Sequence, residues 1–284
     1  DLRLVKVIDT HIHADHISGL AELRDKTKCI TIMGEHAPAD VVSMNVKDNE
    51  KISIENIDLT ALYTPGHTDD SYSFLMNDRV FTGDTLLIKG TGRTDFQNGN
   101  PYDQYHSLFN RLLKLPEETF IFPAHDYKGE SVSTIGEEKN FNPRLQVNSA
   151  QEYASIMNNL NLANPKMMDI AVPENKGLGF NREKQKNLNG ISYERLKKIS
   201  ESEEVLLIDL REPIEIEKKP SLLNSINIPY STLQEYFKNQ KELLKNKIII
   251  FYCAVGERSA MAIQISQAYR FNKTYHLVGG INNL

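Results

Sequence analysis

Histidine and aspartate side chains cluster near the start of this 284-residue chain, in a pattern that suits a metal ion. His11, His13, Asp15 and His16 form an HxHxDH motif directly after the apolar segment 4–9. Imidazole and carboxylate groups are the usual ligands of zinc, iron and similar divalent metals. A single histidine is more often a solvated or core residue, but a motif this dense predicts a metal site.

Further candidate ligands stand where β-rich segments end. His67 lies in TPGHT, Asp84 in FTGDT and His125 in PAHDY. Loops at the ends of strands often carry catalytic groups on a rigid scaffold, so these side chains are expected to converge with the first motif. The histidines without such a context, which we expect to be structural, are His36, His106 and His276.

A second reactive motif, CAVGERS at 253–259, follows the very apolar segment 247–252. A helix predicted to begin near Arg258 would direct its first backbone N–H groups towards Cys253, and such groups stabilise a thiolate. Gly256 lets the loop curl without a clash at Cβ, and Arg258 adds positive charge for an anionic substrate. The loop suits a nucleophilic cysteine that carries transferred sulfur as a persulfide.

The elements that must position these motifs divide the chain into two halves. The first half is rich in short strands, with a hairpin turn at Asn77-Asp78 and a helix expected to continue from Asp15. A segment rich in Gly, Asn and Lys, 176–187, is the predicted linker. After it, helices alternate with the apolar strands 204–209 and 247–252, a pattern typical of a parallel sheet.

Composition excludes several functional classes. The chain is 40% hydrophobic and 25% charged, with a net charge of −5, which is ordinary for a globular protein and gives no footprint for nucleic acid or a membrane. Cys29 and Cys253 are the only cysteines, so a disulfide framework is not expected and a reducing compartment is predicted. The composition, rich in Lys, Asn and Ile, fits a bacterial protein, and a bacterial cytoplasm is therefore expected. Cys29, within CITIM, is expected to be buried and inert.

The metal motifs resemble those of the metallo-β-lactamase superfamily, whose fold is an αββα sandwich. HxHxDH at 11–16, then TPGHT, GDT and a late histidine follow in the same order. Within the superfamily, GTGRTDFQ at 90–97, PAHDYKG at 123–129 and NPRL at 142–145 resemble persulfide dioxygenases more than glyoxalase II hydrolases. The resemblance covers residues 1–175 and lacks the family's N-terminal strands, so we expect the sequence to begin inside that domain.

The residue types leave the number of metal ions open. A hydrolase that activates water between two zinc ions would use all seven candidate groups. The first zinc ion would bind His11, His13 and His67, and the second would bind Asp15, His16 and His125. Asp84 would bridge the two ions. The resemblance to persulfide dioxygenases instead implies one Fe(II) on His11, His67 and Asp84, with coordination positions left for dioxygen and substrate. The other four groups would then orient the ligands.

The same resemblance implies a substrate site. Positions that match Arg93 and Tyr127 help persulfide dioxygenases to bind the glutathione part of their substrate, and a guanidinium pairs well with a carboxylate. The alternative for Arg93 is a salt bridge at the surface. The implied reaction converts a thiol persulfide, O₂ and water into sulfite and the free thiol. Glutathione, bacillithiol and coenzyme A all stay open as the thiol.

The cysteine loop resembles the active loop of rhodanese sulfurtransferases. Beside CxxGxRS at 253–259, DLRE at 209–212, NIP at 227–229 and LVGGI at 277–281 resemble other rhodanese segments, whereas the usual Gly-His-Ile stretch before NIP is absent. Tyrosine phosphatases place five residues between their cysteine and arginine. Four residues separate Cys253 from the arginine here, which favours sulfur over phosphate.

We therefore expect an α/β protein with an αββα metallo-β-lactamase sandwich over 1–175 and a rhodanese-like α/β domain with a parallel sheet over 188–284. The predicted function is oxidation of a small thiol persulfide, coupled to sulfur transfer involving thiosulfate and sulfite, in sulfide detoxification or sulfur assimilation. One alternative is a binuclear zinc glyoxalase II-type thioesterase fused to a rhodanese, and another is a non-catalytic sulfane-sulfur binding or sensing protein. Homo-oligomer formation stays open.

Overall fold

The N-terminal part of the chain contains two β-sheets that pack face to face. In the computed structural model, which describes residues 3–39, 42–178 and 188–284, the first sheet is parallel and three-stranded. Its strands, in spatial order, are β1 (Lys6–Ile8), β2 (Ile30–Gly34) and β3 (Met44–Val46). Every residue of β2 is buried, as expected for a central strand that is covered on both faces.

The second sheet follows the sequence order from β4 to β9. Its strands are β4 (Lys51–Ile54), β5 (Ile57–Tyr63), β6 (Tyr72–Leu75), β7 (Arg79–Gly83), β8 (Phe120–Pro123) and β9 (Ser133–Thr134). Neighbouring strands are antiparallel except for the parallel pair β7 and β8. The predicted hairpin is confirmed, because β6 and β7 pair around the turn at Asn77-Asp78, where short polar side chains are favoured.

Helices cover the outer faces of both sheets. They are α1 (Leu20–Thr27), α2 (Pro101–Asn110), α3 (Ile135–Phe141), α4 (Ala150–Asn158) and α5 (Met168–Gly177), with a 3₁₀ turn at Leu112–Lys114. The Asn100 side chain accepts the backbone N–H groups of Tyr102 and Asp103, and Pro101 fills the first helical position of α2. Ser149 caps α4 in the same way through the Glu152 N–H.

Apolar side chains hold these layers together in the order helix, sheet, sheet, helix. Ile32 and Met44 of the first sheet meet Leu59 and Phe74 of the second in one buried cluster. Further clusters join α2 and α4 to the second sheet, and α1 to the first. Each fully buried side chain of this kind contributes roughly 1.5–3 kcal/mol. The predicted αββα sandwich is confirmed.

The C-terminal part forms a parallel five-stranded sheet within the described residues, as predicted. In spatial order its strands are β10 (Gly190–Ile191), β14 (Thr274–Leu277), β13 (Ile248–Tyr252), β11 (Val205–Asp209) and β12 (Ser225–Asn227). Its helices are α6 (Tyr193–Ser202), α7 (Pro213–Lys218), α8 (Leu233–Leu244) and α9 (Glu257–Ala268), with 3₁₀ turns at Tyr230–Thr232 and Ile281–Asn283. All five residues of the central strand β13 are buried.

Two stretches differ from the sequence prediction or lie outside the structural description. The helix expected from Asp15 is wrong, since residues 11–19 form an irregular loop and α1 begins at Leu20. The predicted linker 176–187 starts within the last turn of α5, and its residues 179–187 lie outside the described residues. Among the residues that the structure describes, no helix has the length and apolar character needed to cross a bilayer.

Candidate metal centre and cysteine loop

The candidate metal ligands gather at one edge of the second sheet. β6 runs opposite to β5 and β7, and β8 runs parallel to β7, so β5, β7 and β8 all end at this edge. His67, Asp84 and His125 lie in the loops that follow these three strands. The loop after β1 carries His11 to the same edge, where the Thr10 carbonyl accepts a backbone N–H from the start of β6 at 2.9 Å.

His11, His67 and Asp84 form one compact set. A ligand atom of each lies within 4.8 Å of the others, and His67 Nε2 is 3.4 Å from Asp84 Oδ2. The second carboxylate oxygen, Asp84 Oδ1, is buried and has no hydrogen-bond partner in the described part of the chain. An unpartnered buried carboxylate oxygen is costly unless a cation balances it. These residues therefore fit a divalent metal such as iron or zinc.

Neighbouring groups prepare both imidazoles to act as ligands. The Nδ1 atom of His67 lies 2.7 Å from the backbone oxygen of Arg93. Because a carbonyl only accepts, Nδ1 carries the proton and the lone pair of Nε2 faces Asp84. The Nδ1 atom of His11 contacts Thr10 Oγ1 at 2.9 Å. Burial and the nearby imidazole of His67 hold the pKa of His11 well below its usual value, which favours the neutral form that metals bind.

A second set of candidate ligands lies beside the first. His13, Asp15 and His16 also have ligand atoms within 4.8 Å of one another. His125 connects the two sets, with Nε2 at 3.4 Å from Asp15 Oδ2 and 3.6 Å from Asp84 Oδ2. The side chains of Asp15 and His16 are exposed, unlike those of His11 and His67. The arrangement thus has room for either predicted metal stoichiometry.

Three polar side chains that the sequence prediction missed hold the HxHxDH loop. The Asn175 side-chain amide donates to the carbonyls of His13 and His16, each at 2.9 Å. The Asp70 carboxylate accepts the Ile12 N–H at 2.8 Å, and the Gln97 amide donates to the Ile12 carbonyl at 2.9 Å. Gln97 belongs to GTGRTDFQ, which carries the family resemblance, and Asp70 lies two residues after TPGHT, whereas no motif singled out Asn175.

Gly92 is a further residue whose role the sequence alone did not reveal. A Cβ at this position would stand 2.0 Å from the Asp84 carbonyl oxygen and 2.9 Å from His67 Nδ1. The Gly92 N–H donates to that same carbonyl at 2.8 Å. Glycine is therefore required for close approach of the backbone to two candidate ligands.

A cavity of about 590 Å³ opens onto the metal set. Its lining includes His67, Asp84, Arg93, His125, Tyr127 and Arg144. Both predicted substrate-binding residues thus face the same space as His67 and Asp84. Tyr127 is 81% exposed, and its ring is nearly parallel to that of His125, at a centroid distance of 5.9 Å. The size and mixed lining of this cavity suit a small thiol compound.

The guanidinium of Arg93 is already paired. Its Nε and Nη2 atoms lie 2.5 and 2.6 Å from the two carboxylate oxygens of Asp95. Nη1 donates to the Ala163 carbonyl at 2.6 Å, and the group lies 4.9 Å above the Phe96 ring. The hydrogen bonds that Arg93 donates to the Asp95 carboxylate raise the pKa of Arg93. Arg93 therefore forms the salt bridge that was the alternative to substrate binding, with Asp95 as its partner, although its side chain also lines the cavity.

Arg144, within NPRL, is differently placed. Its Nη1 donates to the carbonyl and the hydroxyl of Thr91, and burial lowers its pKa. In the part of the chain that the structure describes, no carboxylate forms an ion pair with it. This guanidinium thus brings an unbalanced positive charge to the cavity wall, which the sequence prediction had not assigned.

The cysteine loop has the shape expected of a thiolate cradle. Cys253 is fully buried at the end of β13, and its Sγ accepts the Gly256 N–H at 3.2 Å. Gly256 has a φ of 92°, and an added Cβ would stand 2.8 Å from the Gly279 nitrogen. Both features require glycine, in agreement with the sequence prediction. Helix α9 begins at Glu257, so its N-terminal end faces the loop.

The contacts of Arg258 differ from the predicted exposure of its charge to a substrate. Two of its nitrogens, Nη1 and Nη2, each lie 2.7 Å from a carboxylate oxygen of Glu215 on α7. Nη2 also donates to the Ser43 carbonyl at 2.6 Å. Only 1% of Arg258 is exposed, so its guanidinium is neutralised and held inside the protein.

The remaining candidates occupy structural positions. Cys29 is buried, and burial raises the pKa of its thiol. Asp209 and Arg211, from DLRE, form a buried ion pair of 2.7 Å, which ties the end of β11 to the loop after it. His36 packs on the Tyr63 ring at 4.3 Å, and His106 contacts the Asn110 amide.

Two domain families match the chain. Residues 32–125 match the "Metallo-beta-lactamase superfamily" and residues 192–284 match the "Rhodanese-like domain". The chain is 42% identical to the human "Persulfide dioxygenase ETHE1, mitochondrial" over 181 residues, which are 63% of this chain and 70% of the relative.

Solved structures agree with this assignment. ETHE1 from Myxococcus xanthus is 47% identical, with a TM-score of 0.62, over 63% of this chain and 80% of that one. A metallo-beta-lactamase from Staphylococcus aureus subsp. aureus COL aligns over 97% of this chain and 84% of its own length, with a TM-score of 0.57 and 23% identity, which shows the shared fold alone. The chain belongs to the persulfide dioxygenase family of the metallo-β-lactamase superfamily and carries a C-terminal rhodanese-like domain.

Proposed function

We propose that the metal-bearing domain oxidises a low-molecular-weight thiol persulfide with O₂, and that the rhodanese-like domain transfers sulfane sulfur. The oxidation is balanced as RSSH + O₂ + H₂O → RSH + H₂SO₃, the last product ionising to sulfite. The carrying observation is the His11, His67 and Asp84 set, of which His67 and Asp84 line a cavity of about 590 Å³. The similarity of the chain to persulfide dioxygenases supports a persulfide as the substrate.

We propose a single Fe(II), with His11, His67 and Asp84 as its ligands. When bound, such an iron would supply redox chemistry towards O₂ and coordination positions for the substrate sulfur. The protein residues keep the His11 imidazole neutral and fix the tautomer of His67 through the Arg93 carbonyl. His13, Asp15, His16 and His125 would orient this set from the neighbouring loop.

Arginine and tyrosine side chains of the cavity would hold the polar end of the substrate. Arg93 and Tyr127 were expected in this role, and both line the cavity. Because the Arg93 charge is paired with Asp95, we propose that Arg144 contributes the main cation for a substrate carboxylate. A half-buried guanidinium without an acidic partner gains more from an incoming anion than one that is already paired.

In the second domain, Cys253 is the proposed sulfur carrier. Its thiolate would attack the outer sulfur of thiosulfate, forming a new S–S bond while sulfite leaves with the electron pair of the broken bond. The charge balances as Cys–S⁻ + S₂O₃²⁻ → Cys–S–S⁻ + SO₃²⁻. The Gly256 N–H at 3.2 Å stabilises the sulfur charge, and a thiol acceptor would then remove the outer sulfur. Arg258 supports the loop rather than the substrate, given its pairing with Glu215.

A second candidate function rests on the further potential metal site formed by His13, Asp15 and His16. With two zinc ions, the domain would hydrolyse a glutathione thioester in the manner of glyoxalase II. A protein that only binds or senses sulfane sulfur would keep a stoichiometric persulfide on Cys253 without turnover. A cytoplasmic setting in sulfide detoxification stays a prediction from the two lone cysteines and the sulfur chemistry.

The deciding experiment is O₂ uptake with the persulfides of glutathione, bacillithiol and coenzyme A. It is run beside hydrolysis of a glutathione thioester and metal analysis of anaerobically purified protein. We expect persulfide-dependent O₂ uptake, sulfite formation and one iron per chain. Two zinc ions per chain with thioester hydrolysis would replace the dioxygenase by the hydrolase. Thiosulfate-dependent sulfur transfer that is lost in Cys253→Ser tests the second domain.

A further inference from the structure

A buried network of charged side chains crosses from the metal-bearing domain to the start of α9. Arg24, on α1, places Nη1 at 2.9 Å from Glu257 Oε1. Ser43, just before β3, donates its hydroxyl to Glu257 Oε2 at 3.0 Å. The Ser43 carbonyl accepts from Arg258 at 2.6 Å, and Arg258 in turn pairs with Glu215. Two neighbouring residues of the cysteine loop are thus held by the other domain.

Burial makes the loss of any of these contacts costly. Arg24, Ser43, Glu257 and Arg258 are each at most 3% exposed, so water cannot replace a lost partner. Removal of one member of a buried ion pair leaves an uncompensated charge, which is far more costly than the loss of a surface pair. Arg24 is also fixed from its own domain, because Nη2 donates to the Leu178 carbonyl at 2.9 Å.

The network acts on the groups that surround the Cys253 sulfur. Glu257 and Arg258 directly follow Gly256, whose N–H contacts Sγ, and Ser259 Oγ lies 3.8 Å from Sγ. A shift in the first turn of α9 would therefore move two of the groups that face the sulfur. Without Arg24, the Glu257 carboxylate would also lose a neutralising cation and its negative charge would oppose a thiolate nearby.

We propose that Arg24 and Ser43 are positioning residues for sulfur transfer by Cys253, so that the metal-bearing domain completes the sulfurtransferase site. They act through Glu257 and the start of α9 and do not touch the sulfur themselves. The inference rests on the proposed sulfurtransferase function of Cys253. The contact between the two domains would thus support sulfur transfer in the second domain.

The test uses the full chain with Cys29→Ser, so that Cys253 is the one remaining thiol. Arg24→Met removes the charge and keeps the aliphatic stem, and Arg24→Lys is the conservative rescue. Two rates are measured across pH: alkylation of Cys253 by iodoacetamide, and sulfur transfer from thiosulfate to a thiol. We expect Arg24→Met to lower both rates by about tenfold or more and to move the alkylation profile to higher pH, with Arg24→Lys staying within about threefold of the parent.

Charge balance gives a sharper comparison. In Arg24→Met/Glu257→Gln no unpaired carboxylate is left, so alkylation should recover part of the loss seen in Arg24→Met alone. Lys218→Met is the matched control, because it breaks another ion pair between the domains, Lys218 with Glu50, in a more exposed position. We expect this control to match the parent, and an equal loss in it would overturn the assignment to Arg24.

Alkylation is independent of the proposed function, so the two can fail separately. If the parent shows no sulfur transfer, the proposed function fails, while the alkylation profiles still decide the inference. A folded Arg24→Met protein with parental alkylation would overturn it. Should that variant fail to fold, Ser43→Ala removes only a hydroxyl, and we expect about a threefold slower alkylation from the lost bond to Glu257. Parental alkylation of a folded Ser43→Ala variant would then overturn the inference.

Discussion

At the metal centre, the carboxylate of Asp84 combines a buried free oxygen with a contact to His67. We predict that Asp84→Asn lowers iron affinity and persulfide-dependent O₂ uptake by at least about 100-fold. Loss of a residue that only supports a metal ligand costs about 10- to 100-fold, and loss of a ligand should cost more. An amide keeps the shape and removes the negative charge that a divalent ion needs. Iron content and O₂ uptake are measured together. Asp69→Asn, a change at an exposed carboxylate in TPGHTDDS, is the control and should retain both.

The cavity arginines allow a second prediction at the residue scale. We expect Arg144→Met to raise the KM for glutathione persulfide by about tenfold with little change in kcat, since one charge-assisted contact contributes roughly 1.5–3 kcal/mol. Arg93→Met should raise the KM less, because Asp95 already balances its charge. Steady-state O₂ uptake over a range of persulfide concentrations measures both. A larger increase in KM for Arg93→Met than for Arg144→Met would mean that Arg93 makes the main contact with the substrate anion.

The loop of residues 11–19 depends on distant elements for its conformation. Asn175 of α5 donates to the carbonyls of both His13 and His16. We predict that Asn175→Asp destabilises the protein by about 2–3 kcal/mol, since it removes buried donors and brings a carboxylate against two carbonyl oxygens. It should also reduce iron content. Chemical denaturation and metal analysis measure the two effects.

The control for this change is Asn140→Asp. The Asn140 amide donates to one backbone carbonyl within its own helix and is exposed. We expect a loss of less than about 0.5 kcal/mol there, as for most surface substitutions. Equal destabilisation of the two variants would contradict a special role of Asn175 in holding the HxHxDH loop.

The same element explains where sequence reasoning succeeded and where it failed. Strands such as β13 and the hairpin at Asn77-Asp78 were predictable, because apolar runs and turn residues act locally. The helix expected from Asp15 was wrong, since the His13 and His16 carbonyls bond to Asn175, more than 150 residues away. Motif residues were identified from local spacing, whereas the pairing of their charges depends on tertiary partners.

Arg93 and Arg258 illustrate this limit. Both were predicted to offer a positive charge to an anion, and both have carboxylate partners, Asp95 and Glu215. Glu215 comes from another element of the rhodanese-like domain, and Arg258 also reaches Ser43 in the metal-bearing domain. A motif can place an arginine in a loop, but only the fold determines which acid neutralises it.

On the scale of the whole molecule, metal occupancy should affect both domains. Ile214 of α7 packs against the core between the two sheets of the first domain, and Arg24 and Ser43 hold the start of α9. A metal present at a thousandfold excess over its Kd stabilises the folded state by about 4 kcal/mol. For a domain of this size, each kcal/mol corresponds to roughly 2–4 °C in Tm.

We therefore predict that chelation of the metal lowers the Tm of the first domain by about 8–16 °C. Because Glu257 and Arg258 lose their buried partners when α1 and β3 unfold, the cysteine loop should unfold over the same temperature range, and exposure of the fully buried Cys253 sulfur should then raise alkylation, unlike in the folded Arg24→Met variant, where the sulfur stays buried. Calorimetry and thiol alkylation on heating, with and without chelator, measure the two transitions in the Cys29→Ser chain. Asp84→Asn should show the low Tm with or without chelator. Alkylation of Cys253 at a temperature that does not respond to the metal would mean that the cysteine loop keeps its fold without its neighbour.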